Sequence, residues 1–248
     1  MLLPIFYAPP ENRVGDIIAL PASEGHHAVS VMRLQEGERV IVVDGCGMAV
    51  RGEIAKASKN RVEIKAHADI RNFGEPSVRL TLAAGLSVGE KFDTVVEKGT
   101  ELGVKRFVPI ISEKSKVKLS EPSKAAARRT RLEKVALAAM KQCRRSYRPE
   151  IATPLTLRQF LDETDREDMN LVFLPIESAQ PLEAIPLDHH LSRVSLLVGP
   201  ESGFSDTEIE YIERAGFAAV SLGPRILRTE TAGPVVTALV MARLGELK

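Results

Sequence analysis

The sequence predicts an α/β protein in two parts, and three observations carry that prediction. From residue 78 onward, short apolar runs of strand composition alternate with segments of helical period, the pattern of a mostly parallel sheet covered by helices. Before them, residues 1 to about 70 hold five short strand-like runs and one helix, which suggests a small barrel. Between the two, Arg71-Asn72-Phe73-Gly74-Glu75-Pro76 concentrates turn-forming residues and reads as a linker. The 248 residues suffice for one large or two modest domains, and 44% hydrophobic with 27% charged residues is the balance of a globular chain.

The strands of the first part are predicted at 3–7, 17–20, 39–43, 49–55 and 61–66, with alternation clearest in Arg61-Val62-Glu63-Ile64-Lys65. Asp44-Gly45-Cys46-Gly47 is a hairpin signal, and Asn60 offers a second turn position. Ser23 is placed as the N-cap of a short helix over 23–32. The apolar start lacks a basic leader and runs directly into Pro9, Pro10 and Glu11, so it is read as a first strand rather than a signal peptide. In the second part, strands are expected at 78–86, 106–111, 171–176, 194–198 and 218–222. A helix over 89–102 puts Phe92, Val95, Val96 and Gly99 on one face. A longer one over 125–145 carries the stripe Leu132, Val135, Ala136, Ala139, Met140 and Cys143. Ser205 and Glu208 have the spacing of a capping box, with Asp206 at the positive helix end. The last helix is predicted over 234–247.

A net charge of +1 conceals a strong asymmetry. Between Gly103 and Arg148 stand 14 lysines and arginines against 3 acids, whereas between Glu150 and Glu213 the numbers are 3 against 14. The basic block points to a polyanionic partner, and a solvated face is its bland alternative. The long helix decides between them: Lys124, Arg128, Arg129, Arg131, Lys134, Lys141, Arg144, Arg145 and Arg148 crowd the faces around its apolar stripe, and Lys114, Lys116 and Lys118 extend the patch. Phosphate contact is the preferred reading. With no tryptophan, three tyrosines and eight phenylalanines, folded RNA suits the chain better than base stacking on an exposed strand. Cys46 and Cys143 lack metal-ligand spacing and are expected as reduced thiols in a cytoplasmic protein. No metal motif and no apolar run of membrane-spanning length is present, so neither a metal nor a membrane is expected.

Two loops concentrate the chemistry. The strands predicted at 194–198 and 218–222 each end in Gly-Pro, at Gly199-Pro200 and Gly223-Pro224. Loops at the carboxyl ends of neighbouring strands in an open α/β sheet are where ligands bind. Gly199-Pro200-Glu201-Ser202-Gly203 lacks the lysine of a phosphate loop, and alone it reads as a tight strand-to-helix turn. The second loop is more specific. It sets Ile226 and Leu227 where an adenine pocket could be lined, and then leads Arg228 and Glu230 into a helix. A structural ion pair of Arg228 with Glu230 or a neighbour is the simpler alternative.

Val198-Gly-Pro-Glu-Ser-Gly-Phe204 together with Leu222-Gly-Pro-Arg-Ile-Leu-Arg-Thr-Glu-Thr-Ala232 resembles the SPOUT superfamily of S-adenosylmethionine-dependent RNA methyltransferases. The likeness is closer to its RsmE family, which methylates N3 of one uridine in bacterial small-subunit (16S) rRNA. Glu97-Lys98-Gly-Thr-Glu101-Leu-Gly-Val104, the turn 112–115, Gln142-Cys143-x-Arg145 with Pro149-Glu-Ile151, and the stretch from His27 to Arg33 agree with it. The resemblance implies a PUA-like β-barrel over residues 1–72 and a SPOUT α/β domain over 73–248 with a C-terminal trefoil knot. It implies S-adenosyl-L-methionine as cofactor. Leu174 at a strand end, Gly199, Glu201 and Gly203 in one loop, and Leu222, Gly223, Ile226, Leu227 and Thr231 in the next would hold it. It also implies a homodimer whose second copy completes the RNA site, and a substrate within the small ribosomal subunit. The chain departs from the family at Ser202, where glycine is usual, at Ser30, where a basic residue is common, and in having no arginine before Arg13. Serine at position 202 either carries strain, if that position needs positive φ, or turns its hydroxyl to the cofactor carboxylate.

Methylating N3 of uracil requires loss of an imide proton and stabilisation of charge spreading onto O2 and O4. Arg228 is assigned that charge, and Glu230 or Glu201 the removal of the proton or the orientation of Arg228. His27, Arg33, Arg128, Arg131, Arg144 and Arg145 are the expected RNA contacts. A ribose 2′-O-methyltransferase of the same superfamily and a non-catalytic rRNA-binding or assembly protein are the alternatives.

Overall fold

The computed structural model describes residues 2–58, 61–87, 89–115, 122–163 and 167–247; Asn60, Lys116 and Lys118 lie outside them. The chain divides into two compact units, Met1–Glu75 with Leu137–Arg148, and Pro76–Ala136 with Pro149–Lys248.

In the first unit, β1 (Ile5–Tyr7), β2 (Arg13–Val14), β3 (Ile17–Ala19), β4 (Arg39–Val43), β5 (Met48–Ala57) and β6 (Val62–Arg71) form one sheet in the order β1-β4-β5-β6-β3-β2. It curls into a half-barrel that stays open between β1 and β2. The unbroken apolar run of β4 has a simple cause. Val40 and Val42 face a core with Phe6, Ile18, Ile54 and Ile64, while Ile41 and Val43 face a second cluster with Ala49 and Met140. A strand covered on both faces has no reason to alternate. The turn before β5 forms as its residues require: Asp44 Oδ1 accepts from the amides of Cys46 (2.7 Å) and Met48 (3.0 Å), and Gly45 and Gly47 take positive φ. The helix differs from expectation. α1 (Ala22–His26) follows an extended Pro21 and has no side-chain cap, so Ser23 lies in its first turn and not at the N-cap. It continues as a wider π-helical turn over His27–Val31.

The second unit comprises β7 (Arg79–Gly85), α2 (Lys91–Glu101), β8 (Arg106–Ile111), α3 (Pro122–Gln142), β9 (Glu150–Ile151), β10 (Leu155–Thr156), α4 (Leu157–Glu163), β11 (Met169–Phe173), β12 (Gln180–Pro181), β13 (Arg193–Val198), α5 (Asp206–Arg214), β14 (Ala218–Ser221) and α6 (Thr229–Arg243), except that α3 leaves it after Ala136. The sheet order is β10-β8-β7-β13-β11-β14-β12, with β9 beside β8. Alternate residues of each central strand serve opposite faces. Leu80, Leu82, Leu171, Leu196 and Val198 meet Phe92, Val95 and Val96 of α2 and Val236 and Val240 of α6. Ala83, Val172 and Leu197 meet Phe160 of α4 and Ile212 of α5. The capping box of α5 is present, with Ser205 Oγ accepting from the Glu208 amide (3.1 Å) and Glu208 accepting from the Ser205 amide (2.9 Å). The last helix begins at Thr229, five residues before its predicted start, and carries Pro234 inside it. Among the described residues no helix is long and apolar enough to cross a membrane, and no group of three or more possible metal ligands occurs.

Candidate functional site

The strands ahead of the two glycine loops are not hydrogen-bonded neighbours, contrary to the expectation from sequence: β11 lies between β13 and β14. Sequence order carries no information on which strand intervenes. The register pairs Phe173 with Val198 on one side and with Val220 on the other, so the three strands end level. The segments that follow them gather at one edge of the sheet around a cavity of about 360 Å³. Leu174 and Ile176 come from the first segment, Gly199, Glu201, Ser202 and Gly203 from the second, and Leu222, Gly223, Ile226, Leu227 and Thr229 from the third. Eight of the nine residues assigned to the cofactor therefore lie together on its wall. Thr231 does not. It is exposed on α6, and Thr229 lines the cavity in its place, donating from Oγ1 to the Gly199 carbonyl oxygen at 3.1 Å.

Ser202 carries no left-handed strain. Gly203 holds the positive φ (68°), with its amide on the Pro200 carbonyl at 2.9 Å, and Ser202 is not among the non-glycine residues of positive φ. Nor does its hydroxyl point at a ligand, because Oγ donates to the Lys114 carbonyl oxygen at 2.8 Å. The turn after β8 braces the loop at further points. Lys114 Nζ donates to the Phe204 carbonyl (3.0 Å), Ser205 Oγ to Glu113 (2.6 Å), and the Glu113 amide to Glu208 (2.9 Å). Beneath the loop, Gly85 ends β7 against Pro200, where a Cβ would lie 2.3 Å from Pro200 N and 2.4 Å from its Cα. Backbone atoms cannot yield as a flexible side chain can, so Gly85→Ala is expected to displace the loop and cost about 1–3 kcal/mol. Urea unfolding measures it, and a midpoint equal to that of the unaltered chain would contradict this packing.

The charged residues sort differently from expectation. Arg228 is the N-cap of α6, exposed, with no side-chain capping bond and no ion pair among the described residues. Glu230 does not pair with it. Both Glu230 and Glu201 face Lys91, whose ammonium is hydrogen-bonded to Glu201 Oε1 and lies 3.9 Å from Glu230 Oε1. Sequence reasoning passed over Lys91. Its signal was a cation at the first position of a helix, where the macrodipole disfavours positive charge.

Of the residues assigned to RNA, His27 and Arg33 are exposed, His27 with its ring edge toward Phe6 at 6.3 Å. Arg144 donates to the Leu3 carbonyl at 3.0 Å. Arg128 donates to the carbonyls of Ser87 (2.7 Å) and Gly89 (3.3 Å), and burial lowers the pKa of its guanidinium. Arg131 pairs with Asp93 at 2.7 Å. Arg145 is the clear departure: it is 2% exposed and pairs with a buried Glu75 at 2.8 Å. The guanidinium is enclosed by the fold, so it cannot reach a phosphate in this conformation.

The RNA methyltransferase domain family matches residues 74–241, and the RNA methyltransferase PUA domain family matches residues 20–66. Ribosomal RNA small subunit methyltransferase E of Bacillus subtilis is 32% identical over 86% of this chain and 85% of its own length. The protein of that name from Synechocystis is 30% identical over 95% of this chain and 76% of its own. Among solved structures, a methyltransferase from Legionella pneumophila in complex with the cofactor SAM superposes with a TM-score of 0.86 at 30% identity, covering 98% of both chains. Ribosomal RNA small subunit methyltransferase E from Neisseria gonorrhoeae bound to S-adenosyl methionine gives 0.85 at 31%, covering 97% of this chain and 98% of that one.

Proposed function

This chain belongs to the RNA methyltransferase family, and from that premise we propose that it is the enzyme that methylates N3 of one uridine in 16S rRNA, using S-adenosyl-L-methionine. Ribosomal RNA methylation with that donor is the activity, and the uridine N3 is the finer assignment. The observation that carries the reading is the cavity at the level ends of β11, β13 and β14. Its volume is within the range of small-molecule sites, roughly 300–1,000 Å³. Its walls fit the donor's chemistry. Leu174, Ile226 and Leu227 offer apolar surface to a purine, the backbone of Gly199, Gly203, Leu222 and Gly223 offers polar edges, and Glu201 offers a carboxylate to a cationic amine. When bound, S-adenosylmethionine supplies a methyl group activated by its sulfonium.

The chain's own residues supply the rest. Arg228 stabilises the negative charge that spreads onto the uracil carbonyls as N3 loses its proton. A carboxylate, Glu230 or Glu201, accepts that proton. His27 and Arg33 of the 1–72 barrel domain, and Arg128, Arg131 and Arg144, contact RNA in this reading. Arg145 is left out of it because of its burial. The homodimer, the substrate within the small ribosomal subunit, the cytoplasmic setting, and a knotted path through the loops of domain 73–248 belong to the same reading. The resemblance of the two loop motifs supports them, and sedimentation at micromolar concentration tests the dimer.

The test is methyl transfer from labelled donor to small subunits that lack the modification, followed by digestion to nucleosides. Label in 3-methyluridine is expected. Label in a 2′-O-methyl nucleoside would move the enzyme to ribose chemistry, and no transfer at all would sink the reading. Binding of rRNA is further expected to weaken steeply and linearly on a log–log plot as salt rises, because phosphate contacts release counterions. A flat plot would remove the basic residues from the interface.

A further inference from the structure

Lys91 is the first residue of α2, where its charge opposes the helix dipole, whereas Glu230 stands in the first turn of α6, where a carboxylate is favoured. A lysine in that place does not serve its own helix. It answers the two carboxylates that meet it: Glu201, from a loop that lines the donor cavity, and Glu230, one residue beyond Thr229, which lines it too. The two acids are not equivalent. Glu201 is hydrogen-bonded to the ammonium and its side chain is 42% exposed. Glu230 has only the longer 3.9 Å approach on Oε1, and its side chain is 19% exposed. Its Oε2 is buried and has no hydrogen-bond partner among the described residues. A buried, unpartnered carboxylate oxygen is costly to keep and is a strong acceptor for whatever reaches it.

We propose that Lys91 is a positioning residue of the transfer reaction, holding Glu201 at the donor cavity and leaving the Glu230 carboxylate free of its hydrogen bond, as the acceptor of the substrate proton. The inference rests on the uridine reading above and decides between the two carboxylates it names. In the step, the N3–H bond breaks with its electron pair left on the uracil ring, and an O–H bond forms at the Glu230 carboxylate. Lys91 touches neither the ring nor the proton. It sets one positive charge between two neighbouring carboxylates and so keeps them in place. A positioned base of this kind is worth about 100-fold or more in rate.

The test uses the full chain and the variants Lys91→Met, Lys91→Arg, Glu201→Gln and Glu230→Gln, each with an unchanged circular-dichroism spectrum. Donor affinity is read by calorimetry, and turnover at saturating donor by label transfer. Glu230→Gln is expected to lose about 100-fold in kcat while keeping donor affinity within about threefold. Glu201→Gln is expected to lose about tenfold in affinity and about tenfold at most in kcat. Lys91→Met shows both losses, and Lys91→Arg restores most of each, a split and a rescue that a merely structural lysine would not produce. The proposal is overturned if Lys91→Met matches the unaltered chain in both readouts, or if Glu201→Gln costs more turnover than Glu230→Gln. Absence of label in 3-methyluridine with the unaltered chain would sink the uridine reading instead. The calorimetric comparison of that chain with Lys91→Met would still decide whether Lys91 holds Glu201.

Discussion

Arg228→Ala is expected to lower turnover about 100- to 1,000-fold, the usual effect of removing a donor aimed at developing charge. The guanidinium is available for that work. It sits at the N-cap of α6 with an extended backbone (φ −69°, ψ 152°), its side chain caps nothing, and it forms no ion pair among the described residues. Removing it leaves no buried partner behind, so stability should change little. Donor affinity should hold within about threefold, because Arg228 does not line the cavity although Leu227 and Thr229 on either side do. Single-turnover label transfer separates these effects. Full turnover in the variant would assign the charge to another group.

Arg145→Ala is expected to be the most destabilising of the substitutions considered, by about 3–5 kcal/mol, because it strands a buried carboxylate. The Arg145 and Glu75 side chains are 3% and 1% exposed. Glu75 also accepts from the amides of Ser146 (3.0 Å) and Tyr147 (2.8 Å), so the same acid fixes the turn after α3. Gly74 lies close under that turn, where a Cβ would come within 2.4 Å of the Arg144 carbonyl oxygen. Urea midpoints measure the loss. Replacing both partners with methionine should recover much of it, since an apolar pair leaves no orphaned charge. A single variant as stable as the unaltered chain would show that the pair contributes nothing.

What the sequence made legible was local. The strands at 39–43 and 106–111 fall at their predicted bounds, and the capping box of α5 forms as its spacing requires. Short elements without a full period were invisible: β2, β9, β10 and β12 have two residues each, and α4 has seven. Pro234 misled because proline is common in the first turn of a helix. Here it follows five helical residues and forfeits only one bond near the N-terminus. The cavity residues could be named because they sit in two contiguous motifs. Lys91 could not, since it meets Glu201 across 110 positions and only the fold sets that meeting. Arg145 misled for the opposite reason. It belongs to a basic run by sequence, and its buried partner lies 70 positions away.

The division of α3 has a consequence for anyone who would separate the halves of this chain. The backbone leaves the first unit after Glu75 and returns to it from Leu137 to Arg148, so no single cut frees either half intact. A fragment ending at residue 72 would keep every strand of its sheet yet lack Leu137 and Met140, which lie against Ile41 and Val43. Such a piece, expressed alone, is expected to be sticky and poorly soluble. Fusing residues 137–148 behind residue 75 through a flexible tether is the way to make it behave.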